Sequence, residues 1–323
     1  MIRDRSRLTT ERRNARSRDI DARTTLEIVD IINAEDRRVA PAVGRQRRRI
    51  AAAVDIIADC LRRGGRLIYV GAGTSGRLGV LDAAECPPTY GTPRSMVQGV
   101  IAGGRRALVR SVEGAEDRAG EGKAAMDGKR VDRRDAVVGI AACGLTPFVR
   151  AAVARARGRG ARTIFVTCAP ETAAEINADV VINPVVGGEV ITGSTRMKAG
   201  TATKLVLNML TTAAMVKLGK VYGNLMVDLR ATNDKLRDRG ERIVMAVAGL
   251  SRPAARRLLA EAGGGVKTAI VMHFRKTDRH GAARWLRQCN GSLRKAIQCG
   301  RAGDESDCRF AGGQPIRKRM SHG

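Results

Sequence analysis

Five short apolar runs, four of them ending in glycine or proline, do most to limit what this chain can fold into. They are RLIYVGAG (66–73), SMVQGVIAGG (95–104), DAVVGIAACG (135–144), RTIFVTCAP (162–170) and ADVVINPVV (178–186). Each is rich in valine and isoleucine, and none alternates polar with apolar residues. That is the pattern of strands covered on both faces. Helical stretches such as FVRAAVARARGRG (148–160) separate most of them. Strand and helix in alternation predict an α/β fold, a doubly wound parallel sheet flanked by helices.

Outside this core the signals are helical. LEIVDIIN has helical periodicity from Thr24 to about Asn33, and a second helix is expected over 43–63, where Ile50, Val54, Ile57 and Leu61 share one face. Gly64 and Gly65 supply its stop. After the last strand, STRMKAGTATKLVLNMLTTAAMVKLG (194–219) reads as a long buried helix, and VYGNLMVDLRATNDKLRDRG (221–240) as a linker. A small helical domain follows from about Ile243 to Ile297, with 248–263 its clearest helix. Beyond Gln298 the chain is polar, glycine-rich and without period, which predicts disorder. The expected organisation is a helical arm (1–55), the α/β domain (56–222), a helical domain (223–298) and a tail (299–323).

Composition excludes more than it assigns. Seven cysteines at irregular spacings form neither a disulfide framework nor a zinc signature. The three histidines, His273, His280 and His322, all fall late in the chain, so acid–base chemistry must rest on carboxylates, Lys, Tyr or Cys, and no metal site is expected. A net charge of +27 invites a nucleic-acid reading, but arginine is scattered through every segment and aromatic residues make up only 2%, too few for base stacking. No specific nucleic-acid partner is predicted. The charged start MIRDRSRLTTERRN has no apolar stretch behind it, and LVLNMLTTAAMV is too short and too polar to span a bilayer. No membrane association is expected, and the reading is a soluble protein of the reducing cytoplasm.

Ligands of open parallel sheets sit beyond the carboxyl ends of the strands, and three loops fall there. GAGTSGR (71–77) joins a strand to a helix with small residues, two hydroxyls and free backbone N–H groups, the equipment for holding an anion. Its glycines Gly71, Gly73 and Gly76 invite comparison with a dinucleotide loop, but the acidic residue expected at the end of the next strand is missing. ACGLTPF (142–148) follows the third strand in the same way. GGEVITGSTRMK (187–198) brings Glu189, Ser194, Thr195, Arg196 and Lys198 to the start of the long helix. Together they suggest a phosphorylated polar ligand. Two acidic stretches stand nearby. Glu85 lies in DAAECPPT, where two prolines are expected to end the helix, and SVEGAEDRAGEG (111–122) carries Glu113, Glu116 and Asp117. Acidic residues in a helix's first turn commonly serve the macrodipole, which suits Glu113 and Asp117; carboxylates from neighbouring loops can instead form an acid–base pair.

These motifs closely resemble the N-acetylmuramic acid 6-phosphate etherases of the sugar isomerase (SIS) superfamily, which is also related to the glucokinase regulatory proteins. The resemblance runs over about 8–298. It is carried by RLIYVGAGTSGRLGVLDAAECPPTYGTP, SVEGAED, VVGIAACGLTP, EVITGSTRMKAGTATKLVLNML and KVYGNLMVDLRATNDKL. It implies that 56–222 is a SIS domain, and that the activity is β-elimination of D-lactate from a 3-O-lactyl sugar phosphate followed by addition of water. Glu85 would be the proton donor to the ether oxygen and Glu116 the base on C2. Gly73, Thr74, Ser75, Gly76, Cys143, Gly144, Thr146, Glu189, Ser194, Arg196 and Lys198 would bind the substrate. No metal, nucleotide or redox cofactor is implied, and the expected assembly is a homodimer. The sequence departs from the family pattern where Cys143 replaces a serine and Leu145 an arginine. A sugar-phosphate-binding regulator of the same fold is the alternative reading.

Overall fold

All five apolar runs become strands of one parallel sheet in the computed structural model, which describes residues 5–229 and 234–298. They are β1 (Leu67–Gly71), β2 (Val97–Ile101), β3 (Ala136–Ile140), β4 (Arg162–Val166) and β5 (Val180–Ile182), in the order β2-β1-β3-β4-β5. In register, Gly71 ends β1 opposite Ile101 of β2 and Ile140 of β3. The winding reverses between β1 and β3, which opens a crevice at their carboxyl ends.

The helices of this first unit, which ends at Lys217, are α1 (Thr25–Asp36), α2 (Val39–Gly44), α3 (Arg47–Arg62), α4 (Gly73–Tyr90), α5 (Ala119–Gly128), α6 (Pro147–Gly158), α7 (Pro170–Ala173) and α8 (Lys198–Lys217). Strand residues alternate between two helical layers. Ile68 and Val70 join Phe148, Val149 and Val153 in a core under α6, with Met126 from α5. Tyr69 points to the other face, where α4 comes so close that a Cβ on Gly79 would lie 2.8 Å from Tyr69 Cβ. The expected helix over 43–63 is broken, because α2 and α3 are separate. Ile50, Val54, Ile57 and Leu61 are nonetheless all buried along α3. α1 begins with a capping box, in which Thr24 Oγ1 accepts from Glu27 N and Glu27 Oε2 accepts from Thr24 N (2.8 Å). It stays largely open, with Leu26 70% and Val29 54% exposed.

One expectation about α4 is overturned. The prolines Pro87 and Pro88 do not end the helix; it runs through both to Tyr90. Proline removes an N–H and crowds the carbonyl four residues back, here those of Ala83 and Ala84, and the helix continues past both positions to its end at Tyr90. The stop is Gly91, left-handed at φ 62°, whose N–H bonds Pro87 O (2.9 Å).

The second unit begins at Leu218. The segment read as a linker contains an antiparallel hairpin, β6 (Val221–Tyr222) with β7 (Leu225–Met226), and the start of α9 (Asp234–Ala248). Its charges pair along the helix, Arg237 with Asp234 and Arg242 with Asp238, so a stretch that looked like a solvated connection is a helix face. α10 (Arg252–Glu261), α11 (Val266–Arg275), α12 (Arg279–Gln288) and α13 (Leu293–Gln298) complete the unit around Val244, Val266, Ile270 and Leu293. The tail expected over 299–323 lies outside the described residues.

Candidate active site

Ala72 precedes α4 without capping it, and among the described residues no side chain satisfies the first N–H groups of the helix. The N–H groups of Gly73, Thr74 and Ser75 therefore face the crevice with no intrahelical acceptor, an anion-binding nest on a positive dipole end. Glycine is required here by distance. A Cβ on Gly71 would lie 2.5 Å from Gly76 N, and one on Gly76 2.6 Å from Ile101 Cγ1. Gly73 adopts φ 53°, where an L side chain is strained.

The second loop flanks the same switch point. Gly144 is left-handed at φ 72°, and a Cβ there would meet Thr172 Oγ1 at 2.2 Å. Thr172 Oγ1 donates to Cys143 O (3.0 Å), and Arg150 Nε donates to Gly144 O (2.6 Å), which fixes the backbone of this turn. Cys143 is a half-buried free thiol, and Thr146 precedes α6 without capping it. The third loop reaches the first at the start of α8, where a Cβ on Gly200 would lie 3.6 Å from Thr74 Cγ2. Within it Ser194 is half-buried and Arg196 exposed.

Glu189 and Lys198 face inward instead. Glu189 accepts from Lys198 N (3.0 Å) and Ala199 N (2.9 Å) and so caps α8 with a buried carboxylate. Burial pushes its carboxyl above the ordinary glutamate range, and the two N–H groups pull it only part of the way back. Lys198 Nζ donates to Glu35 Oε2, and Asn14 Nδ2 donates to that carboxylate (2.8 Å) and to Gly188 O (3.1 Å). Lys198 thus binds the N-terminal arm to the start of α8, while Glu189 caps that helix, and both charged groups already have protein partners.

The carboxylates lie apart. Glu116, in a 3-10 turn over Ala115–Asp117, is exposed and lines a cavity of about 130 Å³ with Gly73, Arg77, Ala102 and Glu113. Arg77 donates to Leu108 O (3.2 Å) and holds the wall of this cavity. Glu85 is on α4 twelve residues beyond Gly73, roughly 18 Å along a helix rising 1.5 Å per residue. It lines a second cavity, of about 220 Å³, with Leu78, Leu81, Asp82, Lys204 and Asn208.

Comparison with known proteins bears on this arrangement. The family profile of the glucokinase regulatory protein N-terminal SIS domain matches residues 49–157. A protein of Trichormus variabilis named N-acetylmuramic acid 6-phosphate etherase is 53% identical over 296 residues, covering 92% of this chain and 96% of its own. Another so named, from Symbiobacterium thermophilum, is 58% identical over 266 residues, covering 82% and 88%. The chain belongs to the N-acetylmuramic acid 6-phosphate etherase family. Among solved structures, phosphoheptose isomerase from Neisseria gonorrhoeae is similar at 20% identity and a TM-score of 0.46, over 59% of this chain and 98% of that one.

Sequence reasoning missed one cluster in this etherase-family chain. Asp82, one turn before Glu85 on α4, is buried and accepts from Tyr69 Oη (2.9 Å) and Thr211 Oγ1 (3.2 Å). With its amide oriented to suit its neighbours, Asn208 donates to Asp82 Oδ1 (3.2 Å) and accepts from Lys204 Nζ (2.8 Å). Burial raises the Asp82 carboxyl above its ordinary value, against the pull of the Tyr69 and Thr211 hydroxyls and of the Lys204 charge. Burial, then the charges of Asp82 and Glu85, push the Cys86 thiol up to about 12. The available signal was the spacing of Lys204, Asn208 and Thr211, which puts all three on one face of α8.

Proposed function

We propose that this chain cleaves the D-lactyl ether of N-acetylmuramic acid 6-phosphate, giving N-acetylglucosamine 6-phosphate and D-lactate in the recycling of peptidoglycan amino sugars. The observation that carries the reading is its 53% identity, over 92% of its length, to a protein named for that substrate and reaction. The sugar phosphate is held at the bare N-terminus of α4, with Thr74 and Ser75 offering hydroxyls and the Cys143–Thr146 turn beside them. In the open-chain sugar the C1 aldehyde acidifies the proton on C2. Glu116 removes that proton, the C3–O bond breaks, and Glu85 delivers its proton to the departing ether oxygen, releasing D-lactate. Glu85, now a carboxylate, takes a proton from water as it adds to C3, and Glu116 returns its proton to C2. One water is consumed and both carboxylates regain their starting states.

The separation of Glu85 from the Gly73–Glu116 cavity supports a homodimer in which each site takes Glu116 from one copy and Glu85 from the other. Leu81 beside Glu85 is 48% exposed and Met209 on α8 is 43% exposed, apolar surface that a second copy would cover. The free buried thiols Cys60, Cys86 and Cys168 support a reducing compartment, and we place the enzyme in the cytoplasm. The test is D-lactate release from N-acetylmuramic acid 6-phosphate by the wild type, Glu85→Ala and Glu116→Ala. Release by the wild type and loss in both variants supports the assignment. A folded wild type that binds the sugar phosphate and releases no lactate overturns it.

A further inference from the structure

The ether that Glu85 is proposed to protonate carries a group the sugar-phosphate pocket does not explain. The lactyl substituent has three features within a few bonds of one another: the ether oxygen, a carboxylate one carbon away from it, and a methyl on the same carbon. A carboxylate so close to the acid must itself be matched, because an unpaired anion beside Glu85 would hold the acid's proton and resist departure of a second negative group.

The Glu85 cavity has a complementary set. Lys204 is the one cation among the described residues that line it, and Leu78, Leu81 and Leu207 form its apolar wall. Lys204 makes no salt bridge among the described residues; Asp82 acts on it at longer range, through Asn208. It is nonetheless held in place. Its ammonium donates to Asn208 (2.8 Å), Asn208 donates to Asp82 (3.2 Å), and Asp82 is fixed by Tyr69 and Thr211. That chain takes one of the three ammonium protons and leaves two for a ligand.

We propose that Lys204 binds the lactyl carboxylate and is the residue that distinguishes a lactyl-bearing sugar phosphate from the same sugar without it. The leucines receive the methyl, and the Asp82–Asn208 pair positions the ammonium. The inference rests on the etherase reading above and adds to it a specificity residue on the same copy as Glu85. The phosphate end of the substrate and its lactyl end are then recognised by separate groups, so product, which lacks the lactyl group, loses the Lys204 contact as soon as lactate leaves.

The experiment compares N-acetylmuramic acid 6-phosphate with its lactyl carboxamide, which keeps the shape and loses the charge, using the full-length wild type, Lys204→Met and Lys204→Arg. The wild type is expected to prefer the acid in kcat/KM by about tenfold to a hundredfold, the range of one charge-assisted hydrogen bond. Lys204→Met should lose that preference, Lys204→Arg should keep most of it, and inhibition by N-acetylglucosamine 6-phosphate should be unchanged in both. Unchanged inhibition also shows that the variants are folded with the phosphate site intact. A Lys204→Met enzyme that keeps the wild-type preference overturns the inference, as does one that loses both substrates equally. If the wild type releases no lactate the etherase reading fails. The same three proteins then give the acid-over-amide ratio in binding affinity, and a ratio that Lys204→Met does not lower overturns the Lys204 assignment separately.

Discussion

Lys198 Nζ donates to Glu35 Oε2 with both side chains only 1% exposed, which makes this pair the deepest charge contact between the N-terminal arm and the sheet domain's last helix. Asn14 and Arg38 add hydrogen bonds to the same carboxylate, and Arg16 stands 3.5 Å away. Removing Glu35 leaves Lys198 as an uncompensated buried charge, whereas removing Lys198 leaves Glu35 still met by Arg38, Arg16 and Asn14. Glu35→Gln is therefore expected to cost about 3–5 kcal/mol of stability. Lys198→Met should cost less, because those partners remain, and the double variant less than the sum. Urea unfolding of the three variants checks this; additive losses would show that the two groups are not coupled.

The same pair sets a pH dependence. Burial alone would raise the Glu35 carboxyl, but the hydrogen bonds from Lys198, Asn14 and Arg38 outweigh it and hold the folded value below the ordinary glutamate range. The contribution is complete above that range, where folded and unfolded chains are both ionised. As pH falls through it, the unfolded chain takes up a proton first, and the stabilisation is lost on the way down to the folded value. Glu189 works in the opposite sense, since burial raises it and the folded chain binds its proton first. Stability against urea between neutral pH and mild acid should therefore fall less steeply in Glu35→Gln than in wild type. Parallel curves would remove Glu35 as a cause.

The nest at the start of α4 gives a sharper steric prediction. A Cβ on Gly71 would stand 2.5 Å from Gly76 N and 2.7 Å from Ser75 C, both backbone atoms that cannot swing away. Gly71→Ala must push the helix start off the sheet, at a cost of about 1–3 kcal/mol for an overpacked site. Because the displaced groups are the proposed phosphate ligands, affinity for N-acetylglucosamine 6-phosphate should drop as well. A melting curve and a binding isotherm decide it; lowered stability with unchanged binding would place the phosphate elsewhere.

Much of this architecture could be read from local sequence. The strands were legible because continuous Val/Ile runs bounded by glycine have few other uses, and the loop glycines marked where helix and strand approach. Pro87 and Pro88 misled because a proline weakens the turn before it without always ending the helix, and residue identity alone does not state which will happen. Glu189 and Lys198 looked like ligands because both are charged and near a helix start; only packing shows that one caps α8 and the other meets Glu35. Lys204 and Asp82 drew no notice for the opposite reason. Asp82 shares α4 with Glu85, but Lys204 lies on a helix distant in sequence, and only the contact of α4 with α8 brings it to them.

That contact leads to the prediction that most directly tests how a site is assembled. If each site draws Glu116 from one copy and Glu85 from the other, then Glu85→Gln and Glu116→Gln homodimers are each inactive at both sites. Exchange of subunits between them produces heterodimers in which one site has lost both carboxylates and the other has lost neither. With random pairing, half of the dimers are mixed and each has one intact site. The mixture should therefore recover about a quarter of wild-type D-lactate release. Were both carboxylates of a site supplied by one chain, every site in the mixture would lack one of them and no activity would return. Subunit exchange is first established with two differently tagged wild-type preparations, so that silence in the mutant mixture counts against the shared site.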